Sequence, residues 1–206
     1  PKVVQQPQNR VDLIFEITEG PVTGVKRINF IGNAEYADRD LRKQIATAES
    51  RWYKFFSSND NYDPGRLEYD REQLRTYYTN RGFADFRVVS AVAELTPDQE
   101  DFYITFTVDE GEEYRWGDIS VETQLDELDP TFLERLLRIQ PGEIYNASQV
   151  ETAIDTLNFA AGTTGYAFVD IQPDIRRNRE TKTVDLVFNV VEGPRVYIKR
   201  IDIVGN

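Results

Sequence analysis

The sequence predicts an α+β protein built of tandem β-α-α-β-β units, each a three-stranded mixed sheet with two helices on one face. Three observations carry that expectation. A strand of alternating apolar residues ending in Glu-Gly occurs three times, each copy is followed at a fixed distance by another short strand, and between copies the apolar spacing turns helical and then returns to two. The three Glu-Gly strands are Val11, Leu13, Phe15, Ile17 before Glu19-Gly20; Phe102, Ile104, Phe106, Val108 before Glu110-Gly111; and Val184, Leu186, Phe188, Val190 before Glu192-Gly193. Nine residues beyond each glutamate stand Ile28, Ile119 and Ile201, with Phe30, Val121 and Ile203 two further on. The outer copies read Lys-Arg-Ile-Asn-Phe-Ile-Gly-Asn (Lys26 to Asn33) and Lys-Arg-Ile-Asp-Ile-Val-Gly-Asn (Lys199 to Asn206).

Ile28 to Ile119 is 91 residues and Ile119 to Ile201 is 82, a whole domain length each. Two complete units are therefore expected, at 21–111 and 112–194. Residues 1–20 are expected to be the final strand of a preceding unit, and 195–206 the first strand of a following one, as in an excerpt from a longer array.

Within each unit the first strand leads to a short helix. Asp38 and Asp129 lie ten residues past Ile28 and Ile119, placed to cap first-turn amides, and Pro130 suits a first helical position. Leu41 and Ile45 form the apolar face of the first copy; Phe132, Leu133, Leu136 and Leu137 form that of the second. A second helix begins near Asp63-Pro64 and near Asn146, where Ser148 and Glu151 match a capping box. The two second helices align without a gap, Leu67 over Val150 and Leu74 over Leu157, and end at Gly82 and Gly165. Alternation then resumes in Phe86, Val88, Ser90, Val92 and, more briefly, from Phe168 to Ile175. Turns at Thr96-Pro97-Asp98 and Asn178-Arg179-Glu180 lead back into the Glu-Gly strand as a hairpin. The short link from each Glu-Gly to the next strand predicts a semi-rigid, jointed rod.

Composition narrows function by exclusion. The 206 residues carry 36 acidic and 24 basic side chains, a net charge of −12, which opposes nucleic-acid and anionic-lipid binding. Zero cysteine and zero histidine remove disulfides, thiolate or imidazole metal sites and imidazole acid/base catalysis. No apolar run reaches the roughly 18 residues of a spanning helix. Chemistry of carboxylates, lysine, tyrosine or lone hydroxyls is all that an enzyme would have left, and no enzyme is expected.

The β-α-α-β-β order, the Ile-x-Phe-x-Gly-Asn first strand (Ile28 to Asn33), the Tyr-x-Pro-Gly-x-Leu helix start (Tyr62 to Leu67), the Tyr-Tyr-x-x-Arg-Gly-Phe-Ala helix end (Tyr77 to Ala84) and the Glu-Gly strand end together resemble POTRA (polypeptide-transport-associated) domains of outer-membrane β-barrel assembly factors. The resemblance covers the whole chain, as the end of a second unit, a third, a fourth and the start of a fifth. It departs from the pattern where Thr123-Gln124 replace the Gly32-Asn33 turn. It implies the periplasmic part of an outer-membrane protein that receives unfolded outer-membrane β-barrel proteins, docks accessory assembly lipoproteins and serves its own C-terminal membrane barrel, with no cofactor, no nucleic acid and no catalysis. Two other readings stand beside it: a structural spacer with no client contact, or the POTRA segment of a related transporter of the TamA or two-partner-secretion type.

In this topology the Glu-Gly strand is expected in the middle of the sheet, leaving Phe86 to Leu95 and Phe168 to Ile175 as edges able to pair with an extended chain. The candidate protein-binding edge is Phe86, Arg87, Val88, Val89, Ser90, Ala91 and Val92; Pro173 blunts the second edge. An eight-residue insertion in the first unit holds Trp52, Tyr53, Phe55 and Phe56, read either as an aromatic contact patch or as a lid over the unit's own core. Asn59, Asn61, Asp63 and Asp70 fall in a calcium-loop frame that Pro64 spoils, and capping is the better account. Asp126, Glu127 and Asp129 read as loop and cap rather than a catalytic carboxylate pair, and Asn146-Ala147-Ser148 as a helix start rather than a glycosylation site. Arg176, Arg177 and Arg179 read as a solvated turn or as a contact for an acidic partner.

Overall fold

The structure, a computed structural model, describes residues 2–6, 10–14, 23–50, 62–126, 128–166 and 169–193, the first two segments as backbone. Strands β1 (Lys2–Gln6) and β2 (Arg10–Ile14) pair antiparallel. The first unit runs β3 (Gly24–Ile31), α1 (Asp38–Leu41), α2 (Pro64–Thr79), β4 (Arg87–Leu95) and β5 (Asp101–Asp109); the second runs β6 (Arg115–Thr123), α3 (Pro130–Leu136), α4 (Ser148–Thr163), β7 (Val169–Asn178) and β8 (Thr183–Glu192). Both sheets are mixed and ordered alike, β3-β5-β4 and β6-β8-β7. The Glu-Gly strand is central in each, parallel to the first strand and antiparallel to the hairpin partner. No helix among the described residues is long and apolar enough to cross a membrane.

Alternation makes β5 and β8 the spine of each core: Ile104, Phe106 and Val108 in one, and Val184, Leu186, Phe188 and Val190 in the other, are buried. Helix α2 closes the first core with Leu67, Leu74 and Tyr78, and α1 adds Leu41. Rings pile up there, with Tyr78 stacked on Phe86 at 4.0 Å and Tyr36 edge-on to both Tyr77 and Tyr78. The second core is mostly aliphatic, closed by Leu133, Val150, Leu157, Ala160 and Ala161 beside a Trp116–Tyr145 pair.

The helix starts divide. Asp63 accepts from the Gly65 amide (2.8 Å), and Asp129 from that of Thr131 (3.0 Å), as capping residues. Asp38 does not cap. It is the first helical residue, and its carboxylate instead takes the Asn33 side-chain amide at 2.9 Å and an ion pair with Arg42. Ser148 likewise opens α4 without capping it; Asn146 accepts from the Ser148 amide (3.0 Å) and hydroxyl (2.7 Å). In α3 only Leu133 is fully buried and Phe132 faces solvent, because a helix of 7 residues has room for one inward turn. Gly82 and Gly165 both end their helices at positive φ, +101° and +99°.

Candidate protein-binding edge and the joint between units

An edge strand can bind a chain only if its outward amides and carbonyls are unclaimed. The first strands fail this condition. On β3, the Ile28 amide donates to Glu49 (3.0 Å), the Ile28 carbonyl accepts from Arg42 (2.9 Å), and the Val25 carbonyl accepts from the Ser50 amide (2.8 Å). On β6, Trp116 exchanges backbone bonds with Gly142 and Glu143, and the Val121 amide donates to Glu134 (3.1 Å). Strands β4 and β7 carry no such cover among the described residues.

The predicted edge residues divide between β4 and the core. Arg87, Val88, Val89, Ser90, Ala91 and Val92 lie on β4, whereas Phe86 precedes it and is buried against Tyr78. Simple alternation would send Val88, Ser90 and Val92 to one face. A β-bulge between Val88 and Ser90 inserts Val89 and exchanges the faces beyond it. Val88, Ala91 and Ala93 therefore pack on the core, while Val89 and Val92 are 57% and 46% exposed. Exposed valines on an uncovered edge are what a receiving strand needs and what a blunted one avoids. Where β4 starts, a cleft of about 240 Å³ separates it from α2, lined by Arg71, Arg75, Phe86 and Val88 among others. A strand added to β4 would direct alternate side chains toward it.

On β7, Pro173 stays in register opposite Phe188, so it removes one donor without ending the strand. Trp52, Tyr53, Phe55 and Phe56 lie outside the described residues, as do Asn59, Asn61, Glu127 and Phe168.

Sequence reasoning missed two polar clusters. The first is Glu110, read only as a strand-end marker. Its buried carboxylate accepts from the Ala34 amide (2.9 Å), the Glu35 amide (3.1 Å) and the Tyr78 hydroxyl (2.7 Å), tying β5 to the turn after β3 and to α2. Burial, and then this bond, hold the Tyr78 phenol protonated far above the usual tyrosine range. The recurrence of Glu-Gly was the available signal.

The second cluster joins the units. Asp85 accepts from the Tyr114 hydroxyl (2.7 Å) and from Arg177 (2.8 Å), and pairs with Arg179 at 3.4 Å. Arg177 also donates to the Ala84 carbonyl (3.0 Å). The Gly82 carbonyl accepts from the Tyr114 amide (2.8 Å), the Thr79 carbonyl from the Ala147 amide (3.2 Å), and the Asn80 side chain from the Ser148 amide (3.0 Å). A Cβ on Gly82 would press on Glu113 and Ile144, so this glycine both ends α2 and admits the next unit. Arg177 and Arg179 thus have their acidic partner inside the chain. No sequence spacing links residues 85 and 177, which is why the pairing was not legible.

The POTRA family model, described as "Surface antigen variable number repeat", matches residues 23–111 and again 114–193. The chain is 32% identical over 206 residues to the outer membrane protein assembly factor BamA of Neisseria meningitidis and 27% identical over 205 to that of Neorickettsia risticii. It is covered completely in both but spans only 26% and 27% of their lengths. Among solved structures, POTRA3-5 of Haemophilus influenzae BamA superposes with a TM-score of 0.68 at 20% identity, over 85% of this chain and 68% of that one. POTRA1-2 of the periplasmic domain of Omp85 from Anabaena gives 0.54 at 17% identity, over 85% and 99%. With two family matches on two sheets of one topology, the chain belongs to the POTRA family.

Proposed function

We propose that this chain is the periplasmic POTRA segment of an outer-membrane protein assembly factor, in which it receives unfolded β-barrel proteins by pairing along β4. Units 21–111 and 112–194 act as the third and fourth of an array, with 1–20 and 195–206 belonging to their neighbours. Accessory lipoproteins dock on the same segment, and the chain's own membrane barrel takes over the client; neither step involves catalysis.

The observation that carries the reading is the contrast between edges: β3 is covered by Glu49, Arg42 and Ser50, while β4 is left open with Val89 and Val92 exposed. Four or five backbone bonds at about 0.5–1.5 kcal/mol each stabilise such a pairing by several kcal/mol. Ordering the client costs about 1–2 kcal/mol per residue, which over the 9 residues of β4 exceeds that gain, so apolar contact with Val89 and Val92 has to supply the rest. Binding is accordingly weak, tolerant of sequence and reversible, as a receiving surface requires.

The test is an amide chemical-shift titration with an extended peptide from an outer-membrane barrel strand, repeated with the same peptide N-methylated at alternate residues. Shifts that concentrate on residues 87–95 and vanish on N-methylation are expected. Shifts that survive N-methylation, or none at millimolar peptide, would leave the spacer reading in its place.

A further inference from the structure

The joint brings together one end of each uncovered edge strand. Arg177, the penultimate residue of β7, donates to the Ala84 carbonyl and to Asp85, and Arg179 pairs with the same carboxylate. Strand β4 begins at Arg87, two residues beyond Asp85. The C-terminal end of β7 therefore meets the N-terminal end of β4. The order of ends matters as much as their proximity: passing from β7 into β4, the backbone keeps one sense, so a single partner chain can stay antiparallel, or parallel, to both. The first strands β3 and β6 take no part, since side chains and loops already cover them.

We propose that the edges of β7 and β4 form one receiving track across the joint, and that its occupant is a single extended polypeptide long enough to pair with both. This rests on the receiving-edge reading above and adds the length and direction of the occupant. Strand β7 has 10 residues and β4 has 9. At roughly 3.3 Å per residue each edge is about 30 Å long, and the track takes about twenty residues. That is the length of two consecutive membrane strands, each about 9–11 residues, before the turn between them has closed. The cleft between α2 and the start of β4 lies at the crossing and accepts a side chain of the occupant there. Pro173 costs the track one donor within β7 and leaves its register unbroken.

Two peptides of the same alternating apolar pattern, of about ten and about twenty residues, distinguish the possibilities when titrated into the 206-residue chain by fluorescence anisotropy and amide shifts. The long peptide is expected to bind at least about tenfold more tightly and to shift residues on both 87–95 and 169–178, because its second half pairs at high effective concentration. In the double variant Arg177→Gln/Arg179→Gln, whose side chains are exposed, the long-to-short ratio is lower than in the native chain, because the looser ends lower the effective concentration, while the affinity of the short peptide and the melting of each unit are unchanged. Equal affinity for the two peptides with the native chain, or shifts from the long peptide on one edge alone, would overturn the track and leave single-edge pairing standing. Binding by neither peptide would overturn the receiving edge itself and the track with it. The peptide ratio is measured on the native chain and does not depend on how the variant folds.

Discussion

Helices α2 and α4 hold equivalent places and have 16 residues each, yet they close their cores by opposite means. Where α2 carries Asp70 and Tyr78, α4 carries Ala153 and Ala161, and all four are buried. Asp70 accepts from the Ala46 amide at 2.6 Å and from that of Thr47, fixing the segment that follows α1. Tyr78 reaches Glu110, which holds the turn after β3. In the second unit Thr123-Gln124 replace the Gly32-Asn33 turn, and the Thr123 hydroxyl accepts from the Leu125 amide (3.1 Å) instead. The backbone path is shared and the packing under it is not: the first unit holds the turn after β3 and the segment after α1 with buried carboxylates, and the second fills the places of Asp70 and Tyr78 with methyl groups.

The strongest way to break this comparison is to exchange the residues. Ala153→Asp places a carboxylate at a buried site packed on the second core, where only the cavity lined by Arg138 and Gln149 could receive it, at a cost of about 3–4 kcal/mol. Asp70→Ala leaves two amides without their acceptor and costs about 2–3 kcal/mol in the first unit. Urea unfolding followed by Trp116 fluorescence in a Trp52→Phe background reads the second unit, and amide exchange reads the first. If Asp70→Ala proves the more costly, the second core is less committed to apolar packing than the burial of Ala153 implies.

Tyr78→Phe sharpens the point within one unit. The ring keeps its stack on Phe86 and only the hydroxyl on Glu110 is lost, so the expected cost is about 1–2 kcal/mol. A loss below about 0.3 kcal/mol would mean the two backbone amides on Glu110 suffice.

Sheet order, the central Glu-Gly strand and the paired helices were legible because each is a local pattern repeated at fixed spacing. The face exchange on β4 was not, since a bulge has no signature in Arg87 to Val92 beyond a run of small and apolar residues. Asp38 misled because its position relative to the strand matched Asp129, while Asn33 and Arg42 claimed its carboxylate. Glu110 and Asp85 act through partners far away in sequence, and only the fold brings those partners close.

Alkaline titration separates the units further. Burial raises the pKa of Tyr36 and of Tyr78 in the first unit, with the Glu110 carboxylate adding to the effect on Tyr78; in the second unit burial raises that of Tyr145. The folded state favours the neutral phenol, while the unfolded chain ionises near pH 10. The stabilisation is therefore fully present below pH 10 and is lost as pH rises through the higher folded values. The first unit is expected to unfold first above pH 10, with Tyr78→Phe narrowing the gap, as read by tyrosinate absorbance together with amide exchange. Simultaneous loss of both units would place the alkaline weakness at the joint, where Tyr114 is also raised by burial and by Asp85.

The smallest effect in energy belongs to that joint. Asp85→Asn keeps an acceptor for Tyr114 but gives up the charge facing Arg177 and Arg179, whose side chains are 49% and 81% exposed. Solvent screening limits such pairs to about 0–1 kcal/mol, so neither unit should melt measurably earlier. The geometry between units is another matter. Apart from these ion pairs, the joint is held by backbone bonds at Gly82 and Thr79, by Asn80, by the Arg177 bond to the Ala84 carbonyl and by Ala84 packed on the second core. Asp85→Asn removes the charge that steadies Arg177 and Arg179 and leaves those contacts in place, so the units keep their mean arrangement with a wider spread about it. Because the chain has no cysteine, Glu100→Cys and Asp155→Cys supply its sole two labelling sites, one on each unit. Spin-label distances are expected to broaden in Asp85→Asn with their mean retained; an unchanged distribution would show that the remaining contacts alone set the angle between the units.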